Sequence, residues 1–361
     1  APTCTSSYSS TTNVSSSPVA ITCSGGSADN YSFSYNSASV TIAKIATLTI
    51  TAANKSVNFG NSFTNSYSTT GLGSGVISGL TYTYAGTGGT TYAASTTAPT
   101  APGSYSITPS AVTFSTGATG NYTTITYTAG SLIISPASLV ITANSPSAIT
   151  YGDSTPANGY STTGLGSGVI SGLTYTYAGS GSTIYASSTT APTAAGTYSI
   201  TPSAVTFSTG SSSDYSTISY VAGTLTINKA TAVITPDAKS VNYGDSAPSY
   251  TFVITSGAST LSSGSIAGYS APTCTSSYSS TTNVSSSPLT ISCSGGSSTN
   301  YNFTTTATAN LTISKTTIYA TPDAKNVTYG DSAPSYTFQV TGFKNSQTTS
   351  NACLLYTSPS P

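Results

Sequence analysis

The chain has 361 residues, with seven Lys, seven Asp, no His and a formal net charge of zero. Charged residues make up 4% of the total, against about 25% in an ordinary soluble domain, which leaves no electrostatic basis for binding nucleic acid or an anionic membrane. Arg, Glu and His are absent, so a serine nucleophile would lack its usual base and any carboxylate pair would be Asp alone; the composition points away from an enzyme and from a cofactor.

Residues 1–18, APTCTSSYSSTTNVSSSP, return letter for letter at 271–288. Cys4 and Cys23 in the first copy, and Cys274 and Cys293 in the second, are each separated by 18 residues. That spacing lets two neighbouring antiparallel strands face each other across a hairpin. A disulfide would close a loop of about 20 residues, worth roughly 3 kcal/mol by chain entropy. Buried free thiols and a metal site are the alternatives, although two thiols fall short of the four ligands zinc usually takes.

Residues 44–135 and 136–227 read as a close pair of modules. Tyr67 to Gly73 returns at Tyr160 to Gly166, and 108–117 returns at 201–210, both displaced by 93 residues. Apolar residues alternate with hydroxyls at Leu48-Thr49-Ile50, Tyr105-Ser106-Ile107, Val112-Thr113-Phe114, Tyr175-Thr176-Tyr177 and Leu225-Thr226-Ile227. Period two predicts half-buried strands, and Thr, Val, Ile and Tyr suit them. Gly (33) and Pro (18) stay well below the roughly 25–30% that marks low-complexity disorder, so the modules are expected to fold.

Residues 228–314 read as a third module of a Cys type with a different second half. Residues 1–43 match that second half and read as the C-terminal half of an earlier Cys-type module. Residues 315–352 open with TPDAKNVTYGDSAPSYTF, echoing 235–252, and read as the N-terminal part of a further module. The chain therefore reads as a piece of a longer array, and the lack of a signal peptide at Ala1 carries no weight for location. Two half sandwiches at the ends, nearly uncharged, are expected to associate between molecules. The last nine residues, CLLYTSPSP (353–361), resemble a translated sequencing adapter and are set aside from fold reasoning.

An aromatic–Gly pair marks each repeat: Phe59-Gly60, Tyr151-Gly152, Tyr243-Gly244 and Tyr329-Gly330, in steps of 92, 92 and 86 residues. Asp153, Asp245 and Asp331 follow in the last three. Gly at positive φ and Asp bonding its local backbone are turn chemistry, and each module has too few carboxylates for a calcium cage. A repeat of about 90 residues is long enough to be a domain. With about seven short strands each, the modules predict an all-β tandem array of small β-sandwiches in the immunoglobulin-like size range. One or two residues separate successive modules, which predicts a semi-rigid string.

The run from Lys229 to Pro248, then Gly196-Thr197-Tyr198-Ser199-Ile200 and Tyr215 to Ile227, resembles the MBG-type repeat, in its YGX variety, of large bacterial surface proteins. The resemblance spans nearly everything up to Ala352, with Phe59-Gly60-Asn61 as a departure in the first module. It implies an extracellular, β-rich spacer or adhesin region with no catalytic residues. Disulfides would agree with an oxidising, extracellular or cell-surface location.

The partners expected are thus neighbouring repeats, with no nucleic acid and, for want of 18 consecutive apolar residues, no membrane span. The alternative is a multivalent carbohydrate-binding array. Its platform would be built from Tyr82, Tyr84, Tyr175 and Tyr177, which serve equally well as core.

Overall fold

The structure, a computed structural model, describes residues 1–350. Ala352 and the tail Cys353–Pro361 lie outside the described residues. Alternating hydroxyl and apolar residues make strands throughout, and the helices among the described residues are five three-residue 3-10 turns. None is long and apolar enough to cross a membrane. The chain divides into two compact units: Ala1–Asn144 with Asn158–Thr176 and Thr201–Gly223, and Ser145–Ala157 with Tyr177–Ile200 and Thr224 onward.

In the first unit, β1 (Thr3–Ser6), β2 (Val19–Ser24) and β3 (Ala38–Val40) form an antiparallel sheet in chain order. Cys4 and Cys23 are register partners across β1 and β2 and are joined as a disulfide. Next come β4 (Ile45–Ala52), β5 (Lys55–Asn58), β6 (Tyr67–Thr70), β7 (Val76–Thr87), β8 (Gly103–Thr116), β9 (Tyr122–Thr128) and β10 (Gly130–Ser135). They build two sheets, β6-β4-β9 and β5-β10-β8-β7, drawn wholly from residues 45–135.

Each of these sheets is mixed, because β4 pairs in parallel with β9 and β5 pairs in parallel with β10. The chain crosses from one sheet to the other in the two residues between β4 and β5. That crossing brings Ala52 so close to Gly130 that a Cβ there would lie 2.5 Å from the Ala52 carbonyl oxygen.

The long β8 serves two parts of the core by changing face. Tyr105 and Ile107 are buried at odd positions and Val112 at an even one. Against β7 the register runs Thr81↔Ser110 and then Gly79↔Thr113, so β8 carries one extra residue, and Ala111 takes a φ of 47°. A bulge of this kind bends the strand and re-aims its side chains. One core cluster gathers Leu48, Ile50, Val112 and Tyr122; another gathers Ala52, Tyr105, Ile107, Leu132 and Ile134.

The next seven strands are β11 (Ala137–Ala143), β12 (Ile149–Thr150), β13 (Tyr160–Thr163), β14 (Val169–Gly179), β15 (Gly196–Thr209), β16 (Tyr215–Val221) and β17 (Gly223–Asn228). Their orders, β13-β11-β16 and β12-β17-β15-β14, repeat those of residues 45–135, and Ala204 repeats the positive φ of Ala111.

In the second unit, residues 230–314 form β18 (Ala230–Pro236), β19 (Lys239–Asn242), β20 (Phe252–Ser256), β21 (Ser259–Leu261), β22 (Thr273–Thr275), β23 (Leu289–Ser294), β24 (Tyr301–Thr304) and β25 (Thr308–Ser314). The sheets are β21-β20-β18-β24 and β19-β25-β23-β22, so the common order survives with one strand added. Cys274 and Cys293, register partners across β22 and β23, form the second disulfide, and both pack among core residues. Residues 315–350 contribute a two-stranded sheet of β26 (Tyr319–Pro322) and β27 (Phe338–Thr341). The fold is all-β, built of repeated small sandwiches.

Candidate functional site at the repeat junctions

Each aromatic–Gly element is a four-residue turn with Gly third. The Asn61, Asp153, Asp245 and Asp331 amides donate to the carbonyls of Asn58, Thr150, Asn242 and Thr328, at 2.9–3.1 Å. The four glycines have φ between 85° and 97°, which L side chains adopt only under strain. The Asp153 and Asp331 carboxylates close their turns by accepting the Thr150 and Thr328 amides, at 2.8 and 2.9 Å. Among the described residues no three His, Cys, Asp or Glu side chains converge on a point where a metal could sit.

Three of the four turns lie against the repeat that follows. Phe59 is buried, its ring edge-on to Tyr215 with centroids 5.5 Å apart. Beside it, Gly60 and Gly166 touch backbone to backbone: a Cβ on Gly60 would lie 2.2 Å from the Gly166 Cα. The core here is continuous, since Ala52, Ile107 and Leu132 belong to one cluster with Leu139, Ile141 and Tyr215. Tyr151 meets Tyr301 in the same edge-on way, at 5.3 Å. At the third turn the Thr316 hydroxyl donates to the Tyr243 carbonyl, and Lys344 Nζ lies 3.1 Å from Asp245 Oδ1. That ion pair is half exposed and adds little by itself. The fourth turn, Tyr329-Gly330-Asp331, leaves its tyrosine fully exposed.

Polar contacts accompany the rings. Asn121 accepts from the Val14 amide through Oδ1 at 2.9 Å and donates to Asn13 Oδ1 at 2.8 Å. Asn300, itself buried, accepts the Ala195 amide at 2.9 Å. These partners were not singled out from sequence, although a signal existed. Asn121-Tyr122, Asp214-Tyr215 and Asn300-Tyr301 occupy one position in the repeat, upstream of the closing Leu-x-Ile strand.

Of the four tyrosines weighed as a sugar platform, three serve the core and the fourth, Tyr175, is half-buried beside a shallow cleft lined by Asn144, Tyr160 and Leu173. Tyr84 and Tyr177 are buried, and Tyr82 packs on the same core cluster as Tyr84. Phenol tips are held by backbone: Tyr105 on Ala101, Tyr198 on Ala194, Tyr122 on Leu72 and Tyr215 on Leu165, at 2.7–2.8 Å. Burial pushes the pKa of these four phenols up, so the neutral form is the one the fold holds. A cleft of about 330 Å³ beside Gly60 is lined by Phe63, Tyr84, Pro99, Ile134 and hydroxyl or amide groups, without a charge.

No family model matches the chain, and a search of curated proteins finds no match. Solved structures with local likeness include Drosophila N-cadherin EC1-4, at 9% identity over 82% of this chain and 83% of that one, with a TM-score of 0.24. The N-terminal four Ig domains of Dscam1 isoform 4.44 follow at 11% identity, 82% of each chain and 0.24. The I9-I11 tandem from titin stands at 10% identity, 74% of this chain, 99% of that one and 0.21. Likeness at such scores carries no argument about relationship or role; the fold rests on the strands described above.

Proposed function

We propose that the chain is a non-catalytic spacer and adhesive repeat region of a secreted or cell-surface bacterial protein. The observation that carries this reading is the aromatic–Gly turn, which meets the following repeat at three successive junctions. A turn placed this way packs one repeat against the next, by its ring at the first two junctions and by polar contacts at the third, and such packing restricts hinging. Two further features support the reading. Disulfides persist in oxidising, extracellular settings. The motif also resembles the MBG-type repeats of bacterial surface proteins, which implies the same location.

Pulling single molecules from both ends tests it. Each repeat is expected to unfold as a discrete event, releasing roughly 300 Å of chain for about 90 residues. The repeat closed by Cys274–Cys293 is expected to release roughly 65 Å less until it is reduced. Smooth extension without discrete events would overturn the proposal.

A further inference from the structure

Residues 44–135 and 136–227 share one strand order and long identical stretches, and one difference between them is a coupled pair. The Ala53 amide donates to the Ser66 carbonyl and the Asn144 amide to the Gly159 carbonyl, both at 2.9 Å. These residues therefore hold one place in the repeat, between the end of the central strand, β4 or β11, and the start of the edge strand, β6 or β13. In residues 228–314 the Asp237 amide donates to the Thr251 carbonyl at 2.9 Å, and the Thr251 hydroxyl donates back to the Asp237 carboxylate. The third repeat closes this place on itself and the first puts a methyl group there. The second sets an amide opposite a glycine. The φ of Gly159 lies outside the left-handed range, so its backbone does not call for glycine. What the glycine leaves is room: a Cβ on it would lie 2.6 Å from Asn144 Nδ2 and push the amide aside.

That amide lines a cleft of about 450 Å³ between β13 and β14, each the outer strand of its sheet. The volume falls within the range of about 300–1,000 Å³ typical of small-molecule sites. Tyr160 and Tyr175 stand along the cleft with Ile170 and Leu173, and none of the described residues lining it is charged. Tyr160 and Asn144 are exposed and Tyr175 is half-buried. Chemistry narrows the occupant. An Asn amide offers a donor and an acceptor side by side, which matches two neighbouring hydroxyls. A tyrosine offers an apolar ring face and a polar tip. A cleft without charge gives an ion no reason to prefer it. A neutral sugar has what remains, an apolar C–H face and a rim of hydroxyls.

We propose that this cleft, in residues 136–227, binds a neutral disaccharide unit of a glycan through the Asn144 amide and the rings of Tyr160 and Tyr175. The site supplies a ligand class for the adhesive part of the reading above and rests on that part. The spacer part is tested separately by the pulling experiment, whose unfolding steps need no ligand.

Two double variants separate the coupled pair from the rest of the cleft. Tyr67, Leu80 and Tyr82 stand 93 residues before Tyr160, Leu173 and Tyr175, so the first repeat carries the same walls without the amide. Asn144→Ala with Gly159→Ser gives the second repeat the pair that the first one folds with. Ala53→Asn with Ser66→Gly gives the first repeat the pair of the second.

The full chain is titrated with cellobiose, maltose, lactose or N,N′-diacetylchitobiose while its amide shifts are read by NMR. At least one of these sugars is expected to move the amides of Asn144, Gly159, Tyr160 and Tyr175 and to leave those of Ala53, Ser66, Tyr67 and Tyr82 in place. Asn144→Ala with Gly159→Ser is expected to raise the sugar concentration needed by about tenfold or more, with shifts in β15 and β16 equal to those of the parent chain. Ala53→Asn with Ser66→Gly is expected to bring Tyr67 and Tyr82 into the response to the same sugar, so that the chain binds two equivalents. An uncharged proline- and glycine-rich hexapeptide serves as the other occupant. Four silent sugars, a response to the peptide alone, equal responses of both repeats in the parent chain, undiminished binding by the first variant, or a first repeat left silent by the second would each overturn the proposal.

Discussion

Phe59→Ala is expected to loosen two repeats at once. Phe59 is 5% exposed and sits among Ala52, Tyr105, Leu132 and Ile134 of its own repeat and Leu139, Ile141 and Tyr215 of the next. A buried phenyl removes about 150–250 Å² from water; at about 25 cal/mol/Å² its loss costs about 4 kcal/mol, within the 3–5 typical of Phe→Ala in cores. The edge-on pair with Tyr215 accounts for about 1 kcal/mol of this. A chain of several repeats does not unfold in one step, so native-state hydrogen exchange is the right assay, read strand by strand.

Amides of β10, β11 and β16 should lose protection by two to three orders of magnitude, since about 1.4 kcal/mol is a factor of ten. Those of β23 and β25 should be unchanged. A cycle with Tyr215→Leu should return a coupling of about 0.5–1.5 kcal/mol. Protection lost only in β5 and its turn, with β11 and β16 untouched, would refute the reasoning, as would zero coupling.

Alkaline pH is expected to destabilise the fold. The phenols of Tyr105, Tyr122, Tyr198 and Tyr215 are pushed above their ordinary value of about 10 by burial, so their contribution is complete below about pH 10 and is lost as pH climbs through the raised range. A melting temperature that stays flat well above pH 10 while phenolate absorbance appears would contradict this. Replacing Cys274 and Cys293 with Ser together should cost about 3 kcal/mol, seen as faster exchange in β22 and β23, because the loop they close spans 19 residues of sequence separation. Equal exchange in oxidised and reduced wild type would count against it.

Strand character and the cysteine pairing were legible in the sequence, as were the seven strands of 44–135 and of 136–227, because each rests on local spacing; the eighth strand of 228–314 was not. Period two at Leu48-Thr49-Ile50 puts two side chains on one face whatever lies opposite. Cys4 and Cys23 sit at matching places on two arms of one hairpin. The shift from odd to even buried positions in β8, Tyr105 and Ile107 and then Val112, also records its bulge in the residues themselves.

The parallel pairing of β4 with β9 and of β5 with β10 was decided by the tertiary structure alone, since those partners lie 77 residues apart and alternation says nothing about which strand lies alongside. So was the place of the aromatic–Gly turn. Its Gly and Asp announce a turn, which is a local property of φ and short-range hydrogen bonds. What the aromatic beside them packs on depends on Tyr215 or Tyr301, more than a hundred residues further on. Local conformation is written residue by residue; contact between distant residues exists only once the sheets have closed.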